Sequence, residues 1–229
     1  MPEAILPAAP VFRDGAVFSE PYGDTYWSLD GGPDEARHVF LSGNDLPARW
    51  QARERFTILE TGFGSGLNFL CAWRRFRETA PAGARLHFLS VDKHPCRRED
   101  LERLYRNWPE LAPLGAALLE RYPPLIEGFH RLHLDGDRVV LTLLWGEAAE
   151  RLAQVEARVD AFFLDGFAPS RNPDMWSQPL FGQLARLAAP AATCATYTVA
   201  GEVRRGLAAA GFSVDKRPGF GRKRDMLCG

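Results

Sequence analysis

The sequence predicts a three-layer α/β domain in which a mostly parallel, seven-stranded sheet ends in an antiparallel hairpin and carries a small N-terminal extension. Three observations predict it. From Phe56 onward, apolar runs of strand length alternate with segments of helical period, the pattern of parallel strands joined by right-handed crossovers. The last two strand-like runs are joined by a short loop and must therefore be antiparallel. The chain has 229 residues, 46% hydrophobic and 25% charged, enough for one substantial core and tight for two.

Within residues 1–50, Val11-Phe12, Ala16-Val17-Phe18 and Thr25-Tyr26-Trp27 are short apolar pieces broken by Asp14-Gly15 and Tyr22-Gly23-Asp24, which predicts a hairpin. Residues 33–42 fit one short helix. This extension is expected to pack on a core domain of residues 51–229. Strands are predicted at 56–60, 86–92, 139–145, 160–165 and 192–198, with helices at 67–78, 96–107, 147–157 and 177–188. Residues 108–135 hold Pro109, Pro113, Pro123 and Pro124 and read as an irregular insertion. Val203, Leu207 and Ala210 share one helical face, and Gly211 is placed to end that helix in a left-handed cap. Runs 212–216 and 225–228 complete the sheet around Gly219-Phe220-Gly221.

Composition excludes several classes. The formal net charge of −1 argues against non-specific coating of nucleic acid, although a local basic patch can still hold one. No apolar run approaches the roughly 18 residues that span a bilayer. The start, MPEAILPAAP, lacks the basic and apolar regions of a secretory signal. Cys71, Cys96, Cys194 and Cys228 form no CxxC pair, so reduced thiols in a cytoplasmic protein are expected. His130 and His133 have no Cys or acidic partner at ligand spacing, so no metal site is expected.

The strongest motif is Glu60-Thr61-Gly62-Phe63-Gly64-Ser65-Gly66, at the end of the first buried strand. Glycines at every second position let the backbone turn sharply and approach a ligand, and the loop opens a helix at Leu67 whose amides can meet a polar group. The same pattern also serves as a bare strand-to-helix turn. Asp92, ending the next strand, is placed where a carboxylate grips ribose hydroxyls. A dinucleotide loop of the form G-x-G-x-x-G would need Gly at 67, where Leu67 stands, and a pyrophosphate would meet repulsion from Glu60. A cofactor with an α-amino group and a sulfonium would not, so S-adenosylmethionine is favoured over a nicotinamide dinucleotide. Glu147, after Trp145-Gly146, either accepts from the adenine amino group or only complements a helix dipole.

The second motif, Asp160-Ala161-Phe162-Phe163-Leu164-Asp165-Gly166-Phe167-Ala168-Pro169, is a buried strand ending in a carboxylate. Carboxyl ends of parallel strands face the ligand crevice, which aims Asp165 at the chemistry, unless it only orders the loop. Asp160 faces the opposite edge and reads as structural. Methyl transfer needs alignment above all. An alkyl amine acceptor with a pKa of ~10.4 must also lose a proton, at a cost on the order of 4–5 kcal/mol at pH 7. Asp165 could orient such an amine and receive its proton, while Phe167 walls the site. Asn172-Pro173-Asp174-Met175-Trp176 faintly resembles the Asn-Pro-Pro-aromatic motif of adenine amino-methyltransferases and reads as a loop framing the acceptor. Between 201 and 229 there are seven basic residues (Arg204, Arg205, Lys216, Arg217, Arg222, Lys223, Arg224) against three acidic ones. They form either a solvated face or a phosphate-tracking surface, with Arg74, Arg75 and Arg77 adding to it or lying elsewhere.

Four blocks resemble one family: Asp24-Thr25-Tyr26-Trp27-Ser28, the run from Glu60 to Leu70, Phe163 to Pro169 with Asn172 to Trp176, and Gly219-Phe220-Gly221-Arg222-Lys223-Arg224-Asp225-Met226-Leu227. That family is the methyltransferase domain of the tRNA 5-methylaminomethyl-2-thiouridine biosynthesis protein (MnmC), or its stand-alone, MnmD-like form. The resemblance implies a Rossmann-like class I S-adenosylmethionine-dependent methyltransferase that N-methylates the 5-aminomethyl group of the wobble uridine of tRNA. The alternative is an N-methyltransferase of a small amine. It further implies Asp165 as the catalytic residue. The cofactor-binding set it implies is Glu60, Gly62, Phe63, Gly64, Gly66, Asn68, Asp92, Lys93, Gly146, Glu147 and Asp165. The substrate-binding set is Tyr26, Phe167, Pro169, Tyr197, Arg222, Lys223 and Arg224. Glu147 stands where the family carries Asp, which lengthens its reach. The expected partner is the anticodon region of tRNA, with no membrane. The family often has a second, FAD-dependent oxidoreductase domain, for which 229 residues leave no room.

Overall fold

The computed structural model describes residues 4–13, 16–26 and 32–229. The expected Asp14-Gly15 turn and the Trp27-Ser28 part of the first resemblance block lie outside these residues. Two short strands, β1 (Pro10–Arg13) and β2 (Ala16–Ser19), pair antiparallel, and β3 (Asp24–Thr25) adds to β2. Helix α1 (Gly32–Ala36) runs on through wider turns at Arg37–Leu41, so the helix expected at 33–42 is present in an uneven form.

The central sheet is built from β4 (Arg55–Thr61), β5 (Arg85–Asp92), β6 (Gly128–Leu134), β7 (Val139–Trp145), β8 (Val159–Leu164), β9 (Ala188–Thr196), β10 (Asp215–Pro218) and β11 (Asp225–Cys228). Its order is β10-β11-β9-β8-β4-β5-β7-β6. The five inner strands from β9 to β7 are parallel, while β6 at one edge and β11 and β10 at the other are antiparallel. The sheet thus has eight strands, not the expected seven, and the extra one is β6.

Strand β6 comes from the stretch expected to be irregular, which also holds α4 (Ala112–Glu120). The prolines misled because of where they sit. Pro109 opens a helical turn and Pro113 falls in the first turn of α4, positions whose N–H has no helical acceptor to lose. The strand expected at 212–216 begins only at Asp215, because Phe212 instead packs its ring edge-on against Phe162 at 5.6 Å. The remaining helices are α2 (Leu67–Thr79), α3 (Arg98–Tyr105), α5 (Ala148–Ala153), α6 (Gln178–Leu187) and α7 (Gly201–Ala209). Gly211 has φ +95° just after α7, the left-handed cap that its position predicts.

Strand periodicity sorts the core onto two faces. Ile58, Phe88, Leu141 and Phe163 pack on one side with Phe69, Trp73 and Trp50. Leu59, Val91, Leu144 and Phe162 pack on the other with Leu180, Leu184, Val203 and Leu207. The segment from Val39 to Leu41 is buried in the first cluster. Asp160 accepts the Thr57 N–H at 2.9 Å and so pins the start of β4. Among the described residues, no helix is long and apolar enough to cross a membrane.

Candidate active site

Sheet register brings the two sequence motifs together. The chain leaves β4 in one direction toward β5 and β7, then returns to build β8 and β9 on the other side, so the order reverses at β4. At such a reversal the loops beyond the strand ends part and leave a crevice. Thr61 is level with Val91 and with Leu164, and Asp92 is level with Trp145. The glycine loop, Asp92, Gly146-Glu147 and Asp165 therefore all emerge at one edge. A cavity of about 1150 Å³ opens there. Pockets for one small ligand run to about 1,000 Å³, so this one has room for two molecules side by side.

One half of the cavity is mostly backbone. Gly62, Gly64 and Gly66 have φ of +80°, +51° and +71°, a region that costs any other residue strain. A Cβ on Gly62 would lie 3.3 Å from the Gly166 Cα, and one on Gly66 would lie 2.7 Å from the Phe63 ring. The loop thus meets the cavity with the bare backbone of Gly62 and Gly64 beside Phe63 and Ser65, and Gly66 is tightly packed behind it. Asp92 accepts the Gly64 N–H with one oxygen and the His94 N–H with the other, each at 2.8 Å. Burial raises its pKa, and those two amide bonds work against the rise. Lys93 and Glu147 form an ion pair beside it, and the hydrogen bond to Glu147 raises the lysine pKa.

Glu60 is placed otherwise than the sequence suggests. It is fully buried and off the cavity wall, accepting the Ser90 hydroxyl at 2.6 Å. Its other oxygen has no hydrogen-bond partner among the described residues. Burial pushes its carboxyl well above the usual range, more than the Ser90 bond pulls it back. A carboxyl sealed beneath the loop does not reach the cavity wall.

The other half of the cavity is made of side chains. Asp165 accepts the Asn68 amide at 2.7 Å and the Gly166 N–H at 2.8 Å, and Thr61 donates to its backbone carbonyl at 2.8 Å. Burial nevertheless pushes its carboxyl up to about 6, against those two bonds. Phe167 stacks on Tyr22 at 4.5 Å and meets Tyr26 edge-on at 5.3 Å. Asp24 accepts the Ala168 N–H at 2.9 Å and ties the N-terminal hairpin to the tip of β8. Tyr197 donates to the Gly166 carbonyl at 2.8 Å. The Lys223 ammonium lies 4.3 Å from the centre of the Tyr197 ring and 2.8 Å from a Glu35 carboxylate oxygen.

Of the residues expected in the site, Gly62, Phe63, Gly64, Asn68, Asp92, Lys93, Glu147, Asp165, Tyr26, Phe167, Tyr197 and Lys223 line this cavity. Glu60, Gly66, Gly146, Pro169, Arg222 and Arg224 do not. Gly66 and Gly146 shape the turns behind the wall, Pro169 is buried, and Arg222 and Arg224 are exposed beside Lys223. Arg74 and Arg75 pair with Glu78, and Arg77 pairs with Asp135, on a different face. Tyr22, Asp24 and Glu35 line the cavity although the sequence reading gave them no role there. Among the described residues, no three His, Cys, Asp or Glu side chains gather as a metal would need. All four cysteines are buried and unpaired.

An open parallel sheet with a glycine loop at its reversal point and acids on the neighbouring tips defines a nucleoside-binding α/β enzyme. A glycine loop, an acid beside it and space for a second molecule fit an adenosyl methyl donor. The chain belongs to the S-adenosyl-L-methionine-dependent methyltransferase family, whose model matches residues 109–229, just over half of it. It is 58% identical over 227 residues to the tRNA 5-methylaminomethyl-2-thiouridine biosynthesis bifunctional protein MnmC of Thiobacillus denitrificans, covering 99% of this chain and 37% of that protein. The protein of that name from Azoarcus sp. is 58% identical over 226 residues, 98% of this chain and 36% of its own length. The chain thus spans a little over a third of the curated relatives it matches. The crystal structure of MNMC2 from Aquifex aeolicus superposes with a TM-score of 0.77 at 25% identity, covering all of this chain and 70% of that one.

Proposed function

We propose that this methyltransferase acts on tRNA, moving a methyl group from S-adenosylmethionine to the 5-aminomethyl nitrogen of the wobble uridine. The observation that carries the reading is Asp165, a carboxylate on the cavity wall beside the glycine loop, held by Asn68 and the Gly166 amide, whose pKa burial pushes up to about 6. The relatives are named for tRNA 5-methylaminomethyl-2-thiouridine biosynthesis, which supports the substrate. We place the core domain at residues 51–229 and the protein in the cytoplasm. A fused or separate FAD-dependent oxidoreductase would expose the amine that is methylated.

Gly62 and Gly64 would hold the methionine end of the donor through their backbone. Asp92 would take the ribose hydroxyls, and Glu147 with Phe63 would flank the adenine. When bound, S-adenosylmethionine supplies an electrophilic methyl group on a sulfonium, which leaves as a neutral thioether. Asp165 would orient the amine and accept its proton, then pass it to solvent. Burial raises a carboxylate pKa and lowers that of an ammonium, so the same dry walls bring the two partners' proton affinities together. Asn68 and the Gly166 amide would hold the carboxylate still while it does so.

The test is incubation with labelled methyl donor and tRNA from cells lacking the modification, followed by digestion to nucleosides. Label in 5-methylaminomethyl uridine is the expected result. Saturable labelling of polyamines with none in tRNA would replace this reading with the small-amine one.

A further inference from the structure

We infer that Lys223 is a specificity residue whose ammonium occupies the acceptor's amine position until RNA draws it away; the inference rests on the tRNA reading above. Three observations set it beside that position. Lys223 lies on the cavity wall with Asp165, Tyr197 and Glu35, and its charge acts on Asp165. Its ammonium sits over the Tyr197 ring at 4.3 Å and on Glu35 at 2.8 Å, an aromatic face and a carboxylate being what an alkylammonium ligand would seek. Tyr197 in turn is fixed to the Gly166 carbonyl, beside the reacting carboxylate.

The lysine is held so that it can leave. Its side chain is 44% exposed, although that of Glu35 is only 12% exposed, so the ammonium borders solvent, where a phosphate can compete for it. It lies in the turn between β10 and β11, closed by the Lys223 N–H on the Phe220 carbonyl and the Gly219 N–H on the Arg224 carbonyl. Arg222 and Arg224, on either side of it, are exposed. A phosphate backbone arriving on that turn offers Lys223 a competing anion, and the ammonium moves out as the aminomethyl group moves in. A small amine brings no phosphate and must compete with Lys223 for the same place. The cavity would therefore refuse free amines and accept the same amine on RNA.

The test compares the unaltered chain with K223M, K223R and E35Q on two acceptors, unmodified tRNA and the free nucleoside 5-aminomethyluridine. In K223M, kcat/KM on the nucleoside is expected to rise about tenfold, as it would if the blocked form dominates, while kcat/KM on tRNA falls. K223R, which keeps the cation, should restore the preference for tRNA. E35Q, which loosens the tether, should raise nucleoside turnover by a smaller factor. Equal or absent nucleoside turnover in the unaltered chain and K223M, with tRNA methylated by the former, would overturn the inference alone. Failure of the unaltered chain to methylate tRNA would remove the functional reading and this inference with it.

Discussion

The two halves of the cavity are built by different means. The half proposed for the donor lies at three neighbouring strand tips, which carry the glycine loop, then Asp92, then Glu147. The acceptor half draws single side chains from the N-terminal hairpin, α1, the tip of β8, the end of β9 and the β10–β11 turn. Sheet register alone sets the first, so its geometry follows from local patterns. Loop packing sets the second, so its geometry exists only once distant segments have met. A donor common to many enzymes can be held by the frame, while the acceptor is recognised by what is attached to it.

Replacing Asp165 by Asn should give the largest effect, a fall of about 10²–10⁴ in methyl transfer under single-turnover conditions, since a positioned proton acceptor contributes that much. Binding of tRNA and of S-adenosylhomocysteine should persist. If the donor also dissociates, the halves are not separable. Gly62→Ala should do the opposite. A left-handed backbone costs a residue with a Cβ about 1–2 kcal/mol, and here that Cβ would also press on Gly166. Calorimetry should show S-adenosylhomocysteine binding weakened by about tenfold or more, because roughly 1.4 kcal/mol is a factor of ten.

The third prediction concerns stability. The folded pKa of Asp165 is raised from 3.8 to about 6, so the fold favours the protonated form. Its contribution is complete below pH 4 and is lost as pH rises through 6. Two units correspond to about 3 kcal/mol at most, and partial solvent contact reduces this to about 1–2 kcal/mol. Asp165→Asn should therefore raise Tm by about 2–6 °C at pH 8 and hardly at all at pH 4, measured by calorimetric scans at both. A matching shift at both pH values would show that the carboxylate is not strained by its walls. Lys93→Ala should give the smallest effect. The ion pair with Glu147 is half exposed and worth about 1 kcal/mol or less, so the KM for S-adenosylmethionine should rise no more than about fivefold.

This contrast also explains what the sequence made legible. Strands β4, β7 and β8 are buried along almost their whole length and read as mainly apolar runs, and β5 shows through Leu86, Phe88, Leu89 and Val91. Strand β6 is an edge strand with His130, Arg131 and His133 facing outward or half outward, and four nearby prolines hid it. Asp92 and Asp165 were legible because a strand's end points at the crevice. Sequence spacing cannot say whether a side chain at a strand's end faces the crevice or the packed side, and the structure buries Glu60 away from the cavity. Tyr22, Asp24 and Glu35 were invisible because their part depends on contacts across about 140 residues or more, such as Asp24 with Ala168 and Glu35 with Lys223.

The bond from Asp24 to the Ala168 amide has a practical corollary for anyone wishing to shorten the protein. Cutting ahead of β4 would keep every strand of the main sheet and the whole glycine loop, and by inspection of the sheet alone would look harmless. It would also strip Tyr22 and Tyr26 from Phe167 and leave the loop after β8 without its anchor. The cut would further remove Val39 to Leu41 and Trp50 from the core face of the sheet, so the trimmed chain would lose packing as well as half of the mould proposed for the second reactant.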